Sequence, residues 1–166
     1  MANLKLGEAA IDGVIAKLRN GIDARVAAIN TNASDDITIT PPSESDIYFG
    51  GVTAIPRAPA LIVFQLPTDG EHEAEGSHSF VWVADIGVAI VDEDYDRARV
   101  ARKLLRQARA AIEVLWDDPP AEALQDGAFH LRFTRDDPGP VQEPSSEGSF
   151  WRAMHIAIFQ VRSYQG

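Results

Sequence analysis

Glu71, His72, Glu73, Glu75 and His78 crowd into one short polar run. Imidazole and carboxylate side chains together are the donor set of zinc and of harder divalent cations, so metal-assisted hydrolysis is the chemistry to seek there. Their spacing matches no defined ligand motif. They also lie in residues 67–79, a stretch of Thr, Asp, Gly, Glu, His and Ser that reads as the tip of a long hairpin. A metal site needs its ligands held within a few tenths of an ångström, which a solvated tip does not provide. The expectation is a solvated loop, with no metal and no cofactor. His130 and His155 alternate with apolar residues and read as sheet-surface or interface positions. No Gly-x-Ser-x-Gly elbow and no phosphate-binding Gly-x-x-x-x-Gly-Lys-Ser/Thr loop occurs, and Gly50-Gly51 alone is too weak a signal. The chain has no cysteine, which removes disulfides, cysteine zinc sites and thiol nucleophiles. Asp85 is the one carboxylate inside an apolar strand. It needs a partner or water, and an ion pair or a lumen-facing position fits it better than acid catalysis. No catalytic residue is assigned, and the chain is not expected to be an enzyme.

Charge is the next signal. Fifteen Lys and Arg stand against 25 Asp and Glu, a formal net charge of −10. Such a chain is repelled by a phosphate backbone, so sequence-specific nucleic-acid binding is not expected. A surface that lets nucleic acid pass without sticking remains compatible with it. Against this acidic background, Arg97, Arg99, Arg102, Lys103, Arg106 and Arg109 gather in one segment. Arg99, Arg102, Lys103 and Arg106 fall on its outer side at helical spacing. Two readings stay open: a solvated helix face, or a surface that docks an acidic loop of a neighbour, such as residues 69–75.

The elements that must position these groups are legible from periodicity. Ile11, Val14, Ile15, Leu18, Ile22, Val26 and Ile29 recur at steps of three and four and predict a helix over residues 4–30. Gly13 and Gly21 weaken it by about 1 kcal/mol each relative to Ala. Residues 36–40 read as a short strand stopped by Pro41-Pro42. Residues 60–66, nearly all apolar, read as a central strand. Residues 80–91 alternate, with Phe80, Trp82, Ala84, Ile86, Val88 and Ile90 on one face and Val81, Val83, Asp85, Gly87, Ala89 and Val91 on the other. Asp92, Glu93, Asp94 and Asp96 read as the acidic opening of a second helix over residues 95–116. Ala101, Leu104, Leu105, Ala108, Ala111, Ile112 and Leu115 read as its buried side. Residues 128–135 read as a strand, 136–148 as a second long polar loop, and 150–164 as the last strand.

The fold expected is therefore α+β: a mostly antiparallel sheet with two helices packed on one face, in the order helix, strands, helix, two strands, and one domain over residues 1–166. Residues 80–91 and 150–161 are apolar on both faces. An antiparallel sheet in a two-layer domain needs only one face covered, so a neighbouring subunit is expected to cover the other. Val81, Val83, Asp85, Trp151, Ala157 and Phe159 are the expected interface positions. No signal peptide and no membrane-spanning run is evident, which points to a soluble, intracellularly made protein.

This layout resembles the phage tail terminators, also called tail completion or tail-to-head joining proteins. The N-terminal amphipathic helix, Tyr48-Phe49 leading through Pro56 and Pro59 into Ala60-Leu61-Ile62-Val63-Phe64, and the long hairpin carry the likeness. The alternating strand running into Asp94-Tyr95-Asp96 and the Arg-rich helix, followed by a final pair of strands, completes it. The resemblance covers nearly the whole chain and rests on layout rather than on an invariant signature. It implies a structural virion protein that forms a sixfold ring, caps the tail tube, ends its polymerisation and joins it to the head. The implied partners are further copies of the chain, the tail tube protein and head–tail connector or adaptor proteins. DNA would pass through the lumen without specific binding, and no cofactor or active site is implied. Other neck or tail-tube ring proteins share such sheets. A metal-dependent hydrolase built on His72 and His78, and a small-molecule-binding regulatory domain, are the alternatives from other classes.

Overall fold

The structure, a computed structural model, describes residues 6–51, 56–66, 72–73, 80–117, 129–144 and 150–165. Helix α1 (Leu6–Asn32) and helix α2 (Arg97–Asp117) lie on one face of a sheet made of β1 (Ile47–Phe49), β2 (Ala60–Gln65), β3 (His72–Glu73), β4 (Phe80–Asp94), β5 (Phe129–Gln142) and β6 (Trp151–Gln165). The strand order is β1-β2-β4-β6-β5, and β3 adds to β4. Only the β1–β2 pair is parallel, so the fold is the mostly antiparallel α+β arrangement expected.

Alternation sorts the side chains. Leu61 and Val63 of β2, Ile86, Val88 and Ile90 of β4, and Ala153, Ala157, Phe159 and Val161 of β6 are buried with the α1 stripe and with Val100, Leu104, Ala111 and Leu115 of α2 in one core. The α1 stripe is buried over its whole predicted length, from Ile11 to Ile29. Gly21 has a packing reason: a Cβ there would sit 3.0 Å from Val114 Cγ1, so its absence lets α1 and α2 approach. The opposite face carries a smaller cluster of Ala60, Ile62, Ala89, Val91 and Met154, flanked by Tyr48, Phe64 and Ile156. These five are also buried within the single chain, so the centre of the second face does not wait for a partner.

Several expectations change. Residues 36–40 form no strand; Ile37 and Ile39 are buried from an irregular segment. Most of the predicted loop over residues 136–148 is strand, because β5 runs on to Gln142. Pro138 and Pro140 are tolerated there because β5 is the edge of the sheet, and the ladder shifts register between Pro138 and Val141. Of the predicted loop over residues 67–79, His72 and Glu73 pair with β4, and residues 67–71 and 74–79 lie outside the described residues. Asp92, Glu93 and Asp94 end β4 rather than open α2. Asp96 alone caps the helix: its Oδ1 accepts the Ala98 N–H at 2.7 Å and the Arg99 N–H at 3.2 Å.

The buried side of α2 is also rotated from the expected one. Leu105 is 60% exposed and Ala101 is exposed, whereas Val100, Gln107, Ala110 and Val114 are buried. Packing against α1 and the burial of Gln107 turn the helix away from the arc that hydrophobicity alone selects.

Candidate functional site

The arginine-rich helix is held by acids of its own chain. Arg106 donates to the Ile37 carbonyl at 2.5 Å and to Asp35 Oδ2 at 2.6 Å, and Arg102 reaches the same carboxylate at 3.2 Å. Arg99 contacts Asp36 at 3.2 Å and Asp94 at 3.3 Å. Lys103 meets Asp94 at 3.2 Å and donates to the Glu93 carbonyl at 3.0 Å. The four residues expected to dock a neighbour's acidic loop therefore tie α2 to the α1–β1 connection and to the end of β4. Nothing in the spacing of Asp35 and Asp36 singles them out as the partners, because they lie more than 60 residues from the helix they bind.

These contacts set the titration of the acids. The Arg106 hydrogen bond, aided by Arg102, holds Asp35 down at about 2. A carboxyl that is more acidic when folded than its ordinary value of about 3.9 contributes stability above that value, and loses it as the pH falls towards 2. Asp35→Asn is therefore expected to melt lower than the wild type at pH 7, with the gap closing near pH 2. Thermal melts across that range check this, and a gap that is the same at both ends sinks it. Asp94 is buried, which opposes its charge, but Lys103 and Arg99 outweigh burial and lower it. Asp92 goes the other way. Burial raises it, despite the Glu93 N–H at 2.8 Å and Gln107 Nε2 at 3.3 Å. Its charged form costs stability at neutral pH and the cost is relieved as the pH falls. Gln107 Nε2 also donates to the Thr40 carbonyl at 2.7 Å, so this buried amide pins the irregular segment 36–40 onto α2.

The six expected interface positions separate. Ala157 and Phe159 face the helices and are fully buried in the core, so they are not available to a partner. Trp151 is half-buried against the same core, and the Arg97 guanidinium lies 5.6 Å from its ring centroid. The assignments of Ala157 and Phe159 are corrected: these residues of β6 answer to the chain's own helices. Val81 and Val83 stand in β4 opposite Tyr164 and Arg162 of β6; their side chains lie outside the described residues. Asp85 is half-buried opposite Gln160, and its carbonyl accepts the Leu66 N–H at 2.9 Å.

Three histidines can be placed by their side chains or strands. His155 Nε2 lies 2.7 Å from Asp136 Oδ2, a diagonal contact between β6 and β5. The backbone of His72 is in β3 and that of His130 in β5, and the side chains of both, with all of His78, lie outside the described residues. Among the described residues no group of three or more His, Cys, Asp or Glu is placed to hold a metal ion, and no helix is long and apolar enough to cross a membrane.

What sequence reasoning missed is an apolar flank. Leu105 and Trp116 (58% exposed) project from α2 on the side of β5. Trp116 approaches Phe133 of β5 with centroids 6.2 Å apart, and Phe133 meets the buried Phe159 edge-on at 5.7 Å. Tyr95 (77% exposed), just after β4, packs on Phe150, just before β6, at 4.4 Å. The steps of seven and four that link Leu105, Ile112 and Trp116 were the available signal. They were hidden because the same residues also continue the helix's core pattern. No protein-family model matches the sequence, and no curated protein matches it significantly.

Proposed function

We propose that this chain is a structural virion protein that assembles with copies of itself into a ring, caps the end of a phage tail tube, stops its growth and joins it to the head. The likeness to tail terminators motivates this reading, and one observation carries it. β4 and β6 are each 15 residues long and pair along their whole length, while β2 accompanies β4 only from Ile86 to Val91. Residues 80–85 of β4 run beyond β2; among the described residues only β3, at Phe80 and Val81, and the Leu66 N–H, at Asp85, bond to that outer edge, while the other side of the ribbon, residues 160–163 of β6, is paired by β5. Sheet left unpaired at an edge invites another chain, and a closed ring of copies removes the edge. The net charge of −10 suits a lumen through which DNA slides. The proposed partners are the tail tube protein and the connector or adaptor proteins of the neck.

The test is the mass of the particle in solution and its image by electron microscopy, both at high concentration and with tail tubes added. A strict monomer under both conditions overturns the proposal. Val83→Asp, in the ribbon, is expected to abolish ring formation while the far-ultraviolet circular dichroism and the cooperative melt persist. Intact rings in that variant would remove the ribbon from the interface.

A further inference from the structure

We propose that residues 35–40 are a strap that opens as a unit while the rest of the fold stays closed, and that in its closed position its acids cover the basic face of α2.

The segment is an extended chain without a partner strand. Ile37 and Ile39 are buried, whereas Asp36, Thr38 and Thr40 are exposed, so the alternation of a strand is present. Its backbone is bonded by side chains in place of a ladder. One amide holds both backbone groups of Ile39: Asn30 Oδ1 accepts its N–H at 2.9 Å, and Asn30 Nδ2 donates to its carbonyl at 2.8 Å. Arg106 donates to the Ile37 carbonyl and Gln107 to the Thr40 carbonyl, and Asp35 Oδ1 accepts the Ile37 N–H at 3.2 Å. Among the described residues no backbone–backbone hydrogen bond joins residues 35–40 to another segment. The chain is fixed again on either side. The Ala33 N–H bonds the Asn30 carbonyl at the end of α1, and the Asp46 N–H bonds the Ser43 carbonyl. Between strap and second anchor, Pro41 and Pro42 have no N–H to donate.

These tethers release more easily than a ladder. A central strand such as β4 loses its partners only when the sheet comes apart, because β2 and β6 flank it. The strap depends on Asn30, Arg102, Arg106 and Gln107, whose side chains regain rotamer freedom on release and whose hydrogen bonds water can replace. Neighbouring peptide groups are held by different helices, Ile39 by α1 and Ile37 and Thr40 by α2, so the loss of one tether loosens the next. Such a segment is a small cooperative unit with its own opening equilibrium. Opening changes the surface of α2. Asp35 is the carboxylate that Arg102 and Arg106 share, and Asp36 meets Arg99, which also contacts Asp94. With the strap open, Arg102 and Arg106 lose that carboxylate and are available to the acids of another chain.

Hydrogen exchange of the wild-type protein tests the strap. Corrected for intrinsic rates, the Ile37 and Ile39 amides are expected to share one protection factor and to exchange more than about tenfold faster than those of Val88 and Ile90 in β4. Low urea is expected to leave the strap rates unchanged and to raise the β4 rates steeply. Val161→Ala, in the core at the far end of β6, is expected to speed the β4 amides about tenfold and leave the strap amides alone. The absence of cysteine gives a second readout. The thiol of Ile39→Cys is expected to react at a rate insensitive to low urea, and that of Val63→Cys, in β2, at a rate that climbs with it. Equal protection and equal urea dependence in strap and β4 overturn the proposal, because residues 35–40 then open only when the whole fold does. Unequal protection of Ile37 and Ile39 overturns the single unit.

Discussion

Ala157→Asp is expected to unfold the protein rather than to yield a folded monomer. Ala157 is fully buried on the helix side of β6, opposite Val88 of β4 and among the residues packed beneath α2. A carboxylate there loses its water inside an apolar cluster. Leaving a buried charge uncompensated costs several kcal/mol, and the larger side chain adds about 1–3 kcal/mol of overpacking. Together these approach the whole stability of a small domain, roughly 5–15 kcal/mol. Urea unfolding followed by circular dichroism measures the outcome. A variant with the wild-type midpoint and slope would mean that this face of β6 is not core. The contrast with Val83→Asp is the useful one: two aspartates in paired strands, one predicted to cost the fold and the other the assembly.

Gly87→Ala is expected to cost about 1–3 kcal/mol, a large penalty for one methyl group. Gly87 sits in the centre of β4 opposite Phe64 of β2, and a Cβ there would lie 2.7 Å from both Cε1 and Cε2 of the Phe64 ring. The ring lies over the glycine, covering backbone that a strand glycine otherwise leaves bare. The two residues are therefore coupled. Phe64→Ala alone exposes that backbone, but in the Phe64→Ala background Gly87→Ala is expected to be neutral or stabilising, since β-strands disfavour glycine. A double-mutant cycle from urea midpoints reads the coupling. Additive effects in the four proteins would show that the ring is free to move aside.

Much of the fold was legible before any coordinates. The α1 stripe, β2, β4 and β6 lie within a few residues of their predicted positions, because each has one dominant period and a clear stop. β5 was cut short because Pro138 and Pro140 signal a loop in any strand except an edge strand, and sequence does not say which strand is the edge. Asp92 and Asp94 were read as helix-opening acids. Their place in the strand comes from ladder pairing with Ala153 and Trp151 of β6, which their spacing from α2 does not reveal.

The candidate surfaces divide along the same line. The local code is short-ranged: spacing along the chain determines helix, strand and the alternation of faces, so it set the α+β layout, the two apolar sides of β6 and the basic character of α2. Which of those apolar sides meets the chain's own helices, and which acids answer the basic face of α2, depends on groups brought together in space, more than 60 positions apart in the Arg99–Asp36, Arg102–Asp35 and Arg106–Asp35 pairs. Only the packed structure decides that. Burial and ion pairing are properties of neighbours in space, and the same Leu105 or Ala157 is core or surface according to how its element is turned against the next.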